Sequence, residues 1–238
     1  MEKKSIAGKL SVGLTAIVLF FGVVAASAVP AAGDDVTDAR QLVAKAQFTL
    51  DSFQAAPEMS AFRELARKAK GIFIAPEVLK GAFIVGVSGG SGVFLARNES
   101  TGAWNGPAFY TVGEASFGLQ AGAQSAEVVI LAMTERGVDA MLSSNLKLGA
   151  DIGIAAGPVG VGASAATANL SADLLSFTRA EGLYGGISLD GAVVATRDGL
   201  NDAYHGKVVN TNQILLLGKA HNPQASGLIG KVEEIARG

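Results

Sequence analysis

One serine and two histidines are the residues of this chain that could form a hydrolytic site. Residues 86–90 read Gly-Val-Ser-Gly-Gly and match the Gly-x-Ser-x-Gly pattern of a nucleophile elbow, with Ser88 as the nucleophile. That chemistry needs a histidine base within hydrogen-bonding distance and a helix directly after the serine. The histidines are His205 and His221, and a strand-like apolar run follows at 92–96. We therefore expect a glycine turn between two strands and no catalytic residue.

Two further patterns match cofactor and metal sites only loosely. Residues 160–165 read Gly-Val-Gly-Ala-Ser-Ala, whereas a dinucleotide site needs such a loop between a strand and a helix, with an acidic residue about 20 positions on. The alternation of small and β-branched residues favours a strand there. Asp198, Asn201 and Asp202 lack the loop spacing of a calcium site, so we interpret them as helix or turn caps. We predict no metal and no cofactor, since cysteine is absent and the chain has two histidines.

A local surplus of basic residues lies between positions 60 and 97 of a chain whose formal net charge is −2. The acidic residues in this segment are Glu64 and Glu77. Basic side chains at a helix end can hold phosphate headgroups by charge-assisted hydrogen bonds, each worth on the order of 1 kcal/mol near an anionic leaflet. The alternative is a solvated helix face. The residues that we predict to bind lipid are Arg63, Arg67, Lys68, Lys70 and Lys80.

The first 28 residues have the layout of a secretory signal peptide. Three lysines lie within the first nine residues, the stretch 10–33 carries no charge, and 26–28 read Ala-Ser-Ala. A basic start, an apolar run and small residues are the features of a cleavable signal. We predict export and cleavage after Ala28. The alternative is a retained membrane anchor, because the uncharged run approaches the ~20 residues that span a bilayer.

The composition favours an exported bacterial protein with a packed β core. Cysteine is absent, and export without disulfides fits a periplasm. Glycine accounts for 31 of 238 residues, well above the ~7 % that is typical of proteins. The glycines alternate with Val, Ile, Leu and Phe, which is typical of strands with tight turns and close backbone approach. A mildly acidic chain is a poor general binder of nucleic acid.

The spacing of apolar residues predicts helices at both ends and strands between them. Apolar positions recur every three or four residues from Val36 to Phe53, and Pro57 begins a second helix. From Gly71 onward, short apolar runs are separated by turn residues, as in a meandering sheet, a sandwich or a barrel. The predicted strands are 71–75, 82–87, 92–97, 108–112, 116–120, 127–132, 173–178, 183–189 and 192–195.

The remaining segments carry more local signals. Thr134 is expected to cap a helix through about Ser143, and a last helix to begin at Asn222. Asp190-Gly191 predicts a hairpin between the apolar runs on either side. The nearly uncharged tract 148–166 is expected to cross the core as packed backbone, the alternative being a segment that enters a lipid surface.

Six short pieces of the chain recur in the order and spacing of a known family. They read Ala-Lys-Gly-Ile-Phe-Ile-Ala-Pro at 69–76, Gly-Gly-Ser-Gly-Val at 89–93, Trp-Asn-Gly-Pro-Ala at 104–108, Phe-Gly-Leu-Gln-Ala-Gly-Ala-Gln at 117–124, Ala-Gly-Pro-Val-Gly at 156–160 and Glu-Gly-Leu-Tyr-Gly-Gly-Ile-Ser-Leu-Asp-Gly at 181–191. Together they resemble the SYLF domain family. The resemblance implies a phospholipid-binding module, with Arg67, Lys68 and Lys70 at the junction where the family binds lipid. Its eukaryotic relatives bind phosphoinositides, some fungal ones bind actin, and bacterial ones are exported.

These observations predict one α+β unit with a glycine-rich, mostly antiparallel β core, sandwich or barrel-like, packed by N-terminal and C-terminal helices. We assign 1–28 to the signal peptide, 29–70 to a helical lead-in, and 71–238 to a SYLF-like β-rich domain with a C-terminal helix, one globular unit with 29–70. We expect a non-enzymatic phospholipid-binding module of the bacterial cell envelope, periplasmic or secreted and associated with the membrane. The alternative is an envelope scaffolding or protein-interaction protein without a lipid ligand. The expected partners are a phospholipid or membrane surface and an envelope protein, and not nucleic acid.

Overall fold

A computed structural model describes residues 32–82, 85–117, 122–164, 171–180, 182–185 and 189–238. At 32–34, 80–82, 85–87, 115–117 and 122–123 it describes the backbone but not the side chains. Ala32–Gly238 forms one compact unit. The predicted signal peptide and its cleavage site lie outside the described residues, so both remain predictions.

The two predicted N-terminal helices are confirmed. Helix α1 spans Ala32–Ala55, and a 3-10 turn at Pro57–Met59 leads into α2 at Ser60–Ala66. The inward positions of α1 recur at spacings of three and four because 3.6 residues make one turn. The residues that α1 buries in this way are Ala39, Val43, Ala46, Leu50 and Phe53.

The later helices are α3 (Glu135–Met141), α4 (Asp198–His205), α5 (Thr211–Leu215) and α6 (Ser226–Arg237). The predicted cap of α3 is confirmed, since the Gly137 amide donates to Thr134 Oγ1 at 3.0 Å. The last helix is also confirmed, because a 3-10 turn at Pro223–Ala225 precedes α6. Helix α6 buries Leu228, Val232 and Ile235.

The strands form a nine-stranded sheet within the described residues. Their bounds are β1 (Gly71–Ala82), β2 (Val85–Arg97), β3 (Trp104–Phe117), β4 (Gly122–Ala132), β5 (Asn145–Lys147), β6 (Ile154–Ala156), β7 (Leu174–Ala180), β8 (Leu183–Gly185) and β9 (Val193–Thr196). The order is β5-β9-β3-β2-β1-β4-β7-β6, and β8 also pairs with β7. All of the pairings are antiparallel except that of β6 with β7. The predicted α+β class with a mostly antiparallel core is therefore confirmed.

The first four strands are longer than the sequence predicts. Pro76 does not end β1, because a register shift on both sides of the strand absorbs it as a bulge. Residues 88–91 are not a turn, since they lie inside β2 and pair with both β1 and β3. Gly90 permits this: a Cβ there would lie 2.2 Å from the Glu77 carbonyl oxygen. Gly90 therefore allows the backbones of β1 and β2 to approach closely, and it does not form a turn.

Both faces of the sheet are covered by apolar packing. On one face, α1, α2 and α6 pack over side chains that include Ile74, Phe109 and Phe177. On the other face, α3, α5 and loop residues cover Phe73 and Tyr110. All the residues of these two clusters lie between positions 39 and 235. A chain that begins at Val29 therefore retains all the core residues that the structure describes.

Two local predictions are wrong in whole or in part. Residues 157–164 form a loop and not a strand, with Gly160 and Gly162 at positive φ of 138° and 82°. The turn at Asp190-Gly191 exists, since the Ala192 amide donates to the Leu189 carbonyl at 3.0 Å. It does not close a hairpin, because β8 pairs with β7 whereas β9 pairs with β3 and β5. Pairing across the whole sheet decides these partners, and a turn signal alone cannot identify them.

The tract 148–166 is a packed crossing over its first half. Leu148 and Ile152 are buried, and a Cβ on Gly157 would lie 2.2 Å from the Phe177 ring. The following loop exposes 82 % of Val161. Residues 165 and 166 lie outside the described residues.

Candidate functional site

The residues of the nucleophile-elbow pattern cannot form a catalytic pair. Ser88 pairs with Glu114 of β3, whereas His205 Nε2 donates to the Pro107 carbonyl oxygen at 3.0 Å. Glu114 and Pro107 are seven positions apart on one strand, so Ser88 and His205 are separated by about 23 Å. A general base has to lie within hydrogen-bonding distance of its nucleophile.

The polar residues of α4 hold that helix to β3. Asn201 Oδ1 accepts the Phe109 amide at 2.8 Å, and Asp202 Oδ1 accepts the Val209 amide at 2.9 Å. None of the three residues caps α4, whose N-cap is Arg197 without a side-chain hydrogen bond. Asp202 instead holds the segment that follows α4, and the buried Asn201 holds α4 to β3. Among the described residues, no group of three or more His, Asp or Glu side chains could hold a metal ion.

Two of the five predicted lipid-binding residues, Arg63 and Arg67, lie against the protein backbone. Arg63 Nη1 donates to the carbonyl oxygens of Gln54 and Ala56, at 2.9 and 2.7 Å, and so closes the end of α1. The Arg67 guanidinium is exposed and lies against the C-terminal Gly238, where an added Cβ would be 2.6 Å from Arg67 Cζ. The Arg63 side chain is therefore held by contacts within the fold, whereas Arg67 remains exposed to solvent.

The other three predicted residues do not lie in one patch. Lys68 is exposed, with Nζ 4.0 Å from Glu64 Oε1. Lys70 Nζ donates to Glu99 Oε1 at 2.5 Å and to Glu135 Oε1 at 3.0 Å. These hydrogen bonds raise the pKa of Lys70 and lower that of Glu135, because each favours the charged form. Lys80 is on β1 and its side chain lies outside the description.

Ten positions of β1 separate Lys70 from Lys80, or about 30 Å at the rise of an extended strand. Lys80 therefore lies apart from the other four predicted residues, all of which precede β1. These residues were grouped because they are close in sequence, but residues ten positions apart on an extended strand are far apart in space.

A groove lies between α1 and the sheet, at the row where β1 bulges. One part is a cavity of about 300 Å³ lined by Gln41 and Lys45 of α1, Leu79 of β1 and Gly89 of β2. A second part, of about 600 Å³, is lined by Phe48 of α1 and continues past Lys45. Because both parts share Lys45, Pro76 and Glu77, they form one continuous groove across the strands.

Small residues form the floor of the groove, and basic residues lie along its length. Gly89 and Ser91 of β2 and Ser125 of β4 are part of the floor. Arg197 marks one end, where Nη1 donates to Ser91 Oγ at 2.9 Å. Lys45 lies at the middle, with Nζ 3.6 Å from Glu77 Oε2 and both side chains more than half exposed.

A polar cluster forms the other end of the groove. The Arg179 guanidinium pairs with the Glu127 carboxylate, which also accepts Thr49 Oγ1–H at 3.1 Å. Arg179 Cζ lies 5.8 Å from the centroid of the Tyr184 ring, and Tyr184 donates its hydroxyl hydrogen to the Ser52 carbonyl at 3.0 Å. These bonds hold the side chain of Arg179 in a fixed position beside the open groove.

Exposed apolar side chains border this groove, and sequence reasoning missed them. Phe48 is 71 % exposed and Leu79 is 57 % exposed. Leu183, next to the groove residue Gly182, is 77 % exposed. The signal for Phe48 was present, because it is an aromatic residue that falls outside the buried face of α1. Exposed apolar groups next to cations are typical of interaction surfaces.

No helix in the described part of the chain combines the length and apolar character needed to cross a bilayer.

Comparison with known proteins relates the chain to one family. The sequence profile of the family described as "Ysc84: Las17-binding protein actin regulator" matches residues 113–235. An SH3 domain-containing protein of Schizosaccharomyces pombe is 32 % identical over 169 residues, 69 % of this chain and 38 % of that protein.

Two other relatives show the same pattern. SH3 domain-containing YSC84-like protein 1 of Homo sapiens is 28 % identical over 184 residues, which cover 76 % of this chain and 53 % of that protein. Protein YSC84 of Saccharomyces cerevisiae is 28 % identical over 173 residues, 71 % of this chain and 36 % of that protein. The chain thus spans between about a third and about half of the length of these relatives.

Proposed function

The chain belongs to the Ysc84 (SYLF) family, and we propose that it works without catalysis, as a module that binds the surface of a phospholipid membrane. The observation that carries the proposal is the groove beside α1, where Phe48 and Leu79 are exposed next to Lys45. The apolar side chains would enter the acyl boundary, and Lys45 and Arg197 would meet headgroup phosphates.

The exposed side chains are large enough to matter for binding. Full burial of a Phe or Leu side chain stabilises by about 1.5–3 kcal/mol. With 71 % of Phe48 and 57 % of Leu79 available, the pair could supply about 2–4 kcal/mol, and each nearby cation on the order of 1 kcal/mol. This is enough for reversible binding to a surface.

A binding role also agrees with the geometry of the polar residues. Ser88 and His205 are too far apart to act together, and Arg179 and Glu127 neutralise each other at the groove end. The family description and the names of the relatives refer to actin regulation and SH3 domains, and not to enzymes.

Export is part of the same proposal. The signal-like residues 1–28 would direct the chain to a bacterial periplasm or outside the cell, where phospholipid headgroups are accessible from the envelope side.

Flotation with phospholipid vesicles tests the proposal. A chain that begins at Val29 is the appropriate sample, because the apolar run 10–33 would itself bind vesicles if retained in full. The protein should float with phosphatidylcholine vesicles that contain one third phosphatidylglycerol. It should float less with pure phosphatidylcholine, because headgroup charge contributes to binding.

The double variant Phe48→Ser/Leu79→Ser should lower the partition coefficient roughly thirtyfold, which corresponds to about 2 kcal/mol. Val161→Ser removes another exposed apolar side chain and serves as the matched control with unchanged binding. Absence of flotation with either vesicle, or equal flotation of the double variant, would contradict the proposal.

A protein partner is the second candidate, because the family description includes Las17 binding. The groove could then hold a segment of an envelope protein in place of lipid. Crosslinking that recovers one stoichiometric protein partner, together with no flotation of the protein, would favour this candidate.

A further inference from the structure

A second group of exposed apolar side chains lies far from the groove. Val208 is 87 % exposed, Leu216 is 42 % exposed and Leu217 is 57 % exposed. All three belong to residues 207–219, which we call the lysine-bounded segment. Lys207 and Lys219 mark its two ends, and Lys207 Nζ donates to the Lys219 carbonyl oxygen at 2.7 Å. That hydrogen bond brings the ends together, so Val208 and Leu217 lie on one protrusion.

The protrusion is firmly attached to the body of the protein. Ile214 and Leu215 of α5 are fully buried, and Thr211 Oγ1 donates to the Leu142 carbonyl at 2.9 Å. Asn105 Nδ2 donates to the Leu215 carbonyl at 2.9 Å.

The two exposed leucines themselves are held by backbone hydrogen bonds. The amides of Leu216 and Leu217 both donate to the Asn212 carbonyl, at 3.1 and 3.0 Å. The leucines are therefore fixed in an outward position, and binding through them costs little conformational entropy.

The charge of this region suits an anionic surface. The lysine-bounded segment contains two lysines and no acidic residue. Carboxylates on neighbouring elements are engaged: Asp202 accepts the Val209 amide, and Glu99 and Glu135 accept from Lys70. Arg97 and Asp139 border the small cavity next to Leu216.

The lysine-bounded segment and the groove cannot contact the same flat surface. Leu216 borders one cavity with Lys70, which directly precedes β1. Leu79 lies nine positions further along that strand, on the order of 25–30 Å away. The groove opens on the face that α1 covers, whereas Ile214 and Leu215 pack against the opposite face.

We propose that the lysine-bounded segment is a second docking site for an anionic phospholipid bilayer, so that one protein molecule bridges two membranes. The inference rests on the proposed function, because the groove supplies the first membrane contact. The apolar tip formed by Val208, Leu216 and Leu217 enters the second bilayer, and Lys207 and Lys219 face its headgroups.

Vesicle clustering, followed by dynamic light scattering, tests this inference separately from binding. The chain from Val29 should cluster phosphatidylcholine vesicles with one third phosphatidylglycerol. The variant Leu216→Ser/Leu217→Ser should still float with these vesicles through the groove, but should need roughly tenfold more protein for half-maximal clustering. Val161→Ser is the control that removes an even more exposed apolar side chain elsewhere, and it should cluster vesicles as the unsubstituted protein does. Thermal unfolding checks that the leucine variant is folded.

Each outcome bears on one proposal or both. Flotation without clustering by the unsubstituted protein would overturn the bridging inference and leave the proposed function in place. Clustering by the leucine variant at the unsubstituted level would also overturn it. A dimer that these substitutions convert to a monomer would assign the leucines to contact with a second copy. No flotation at all would overturn both proposals.

Discussion

Two adjacent glycines of β2 should respond in opposite ways to the same substitution. A Cβ at Gly90 would lie 2.2 Å from the Glu77 carbonyl oxygen and 3.1 Å from Val78 Cα. At Gly89 the nearest atom would be the Val112 carbonyl oxygen at 3.9 Å, an ordinary contact. The difference arises because the bulge at Pro76 brings the β1 backbone against one face of β2 only.

The magnitude for Gly90→Ala follows from this crowding. The obstructing atoms are backbone atoms of β1, a strand paired on both sides, so relief requires the strands to separate by about 1 Å. Overpacking of this kind costs about 1–3 kcal/mol. Alanine also restricts the unfolded chain more than glycine does, and this effect stabilises the folded state by about 0.4–1 kcal/mol. We expect a net loss of about 1–2 kcal/mol for Gly90→Ala, and a neutral or slightly stabilising effect for Gly89→Ala.

Urea denaturation of the chain from Val29 measures the free energy of unfolding of both variants. The two values are compared with the same m-value. For a domain of this size the Gly90→Ala loss corresponds to a decrease in melting temperature of about 2–8 °C. Equal free energies of unfolding for the two variants would refute the reasoning. So would a greater loss for Gly89→Ala, because it would mean that the Pro76 bulge does not approach Gly90.

Two further predictions concern His205 and the N-terminus. Burial lowers the pKa of His205, assisted by Lys207 and His221, and Nδ1 is buried without a hydrogen-bond partner among the described residues. The unfolded chain therefore binds this proton more tightly, and the free energy of unfolding should fall as the pH drops through the ordinary value of 6.5. Melting temperatures measured between about pH 8 and about pH 5 should decline less for His205→Gln, and parallel curves would contradict this assignment. N-terminal sequencing of the exported protein should begin at Val29, whereas a sequence that begins at Met1 in a membrane fraction would favour the retained anchor.

Local sequence patterns were sufficient to predict those elements whose structure is determined by neighbouring residues. The apolar spacing of α1 and α6, the Thr134 cap and the proline at the start of the second helix all act within a few turns of chain. The α+β class followed for the same reason, since periodicity is a local property.

Strand length and strand partners were not determined locally. Pro76 and the glycines at 89–92 were interpreted as chain breaks, yet pairing on both sides of β1 and β2 carries the strands through them. The predicted hairpin at Asp190-Gly191 is wrong for the same reason, because β9 pairs with β3 and β5, which are far away in sequence.

The sequence by itself determined α1, α2, α3 and α6, the fold class and the family, because these depend on periodicity, on local caps and on short pieces in fixed order, whereas α4 and α5 were not predicted. Only the tertiary structure decided which charges and apolar groups are available. It placed Lys70 between Glu99 and Glu135, separated Lys80 from the other predicted cations, and left Phe48, Leu79, Leu216 and Leu217 exposed. Exposure depends on which distant elements cover a side chain, and the pattern of neighbouring residues does not contain that information.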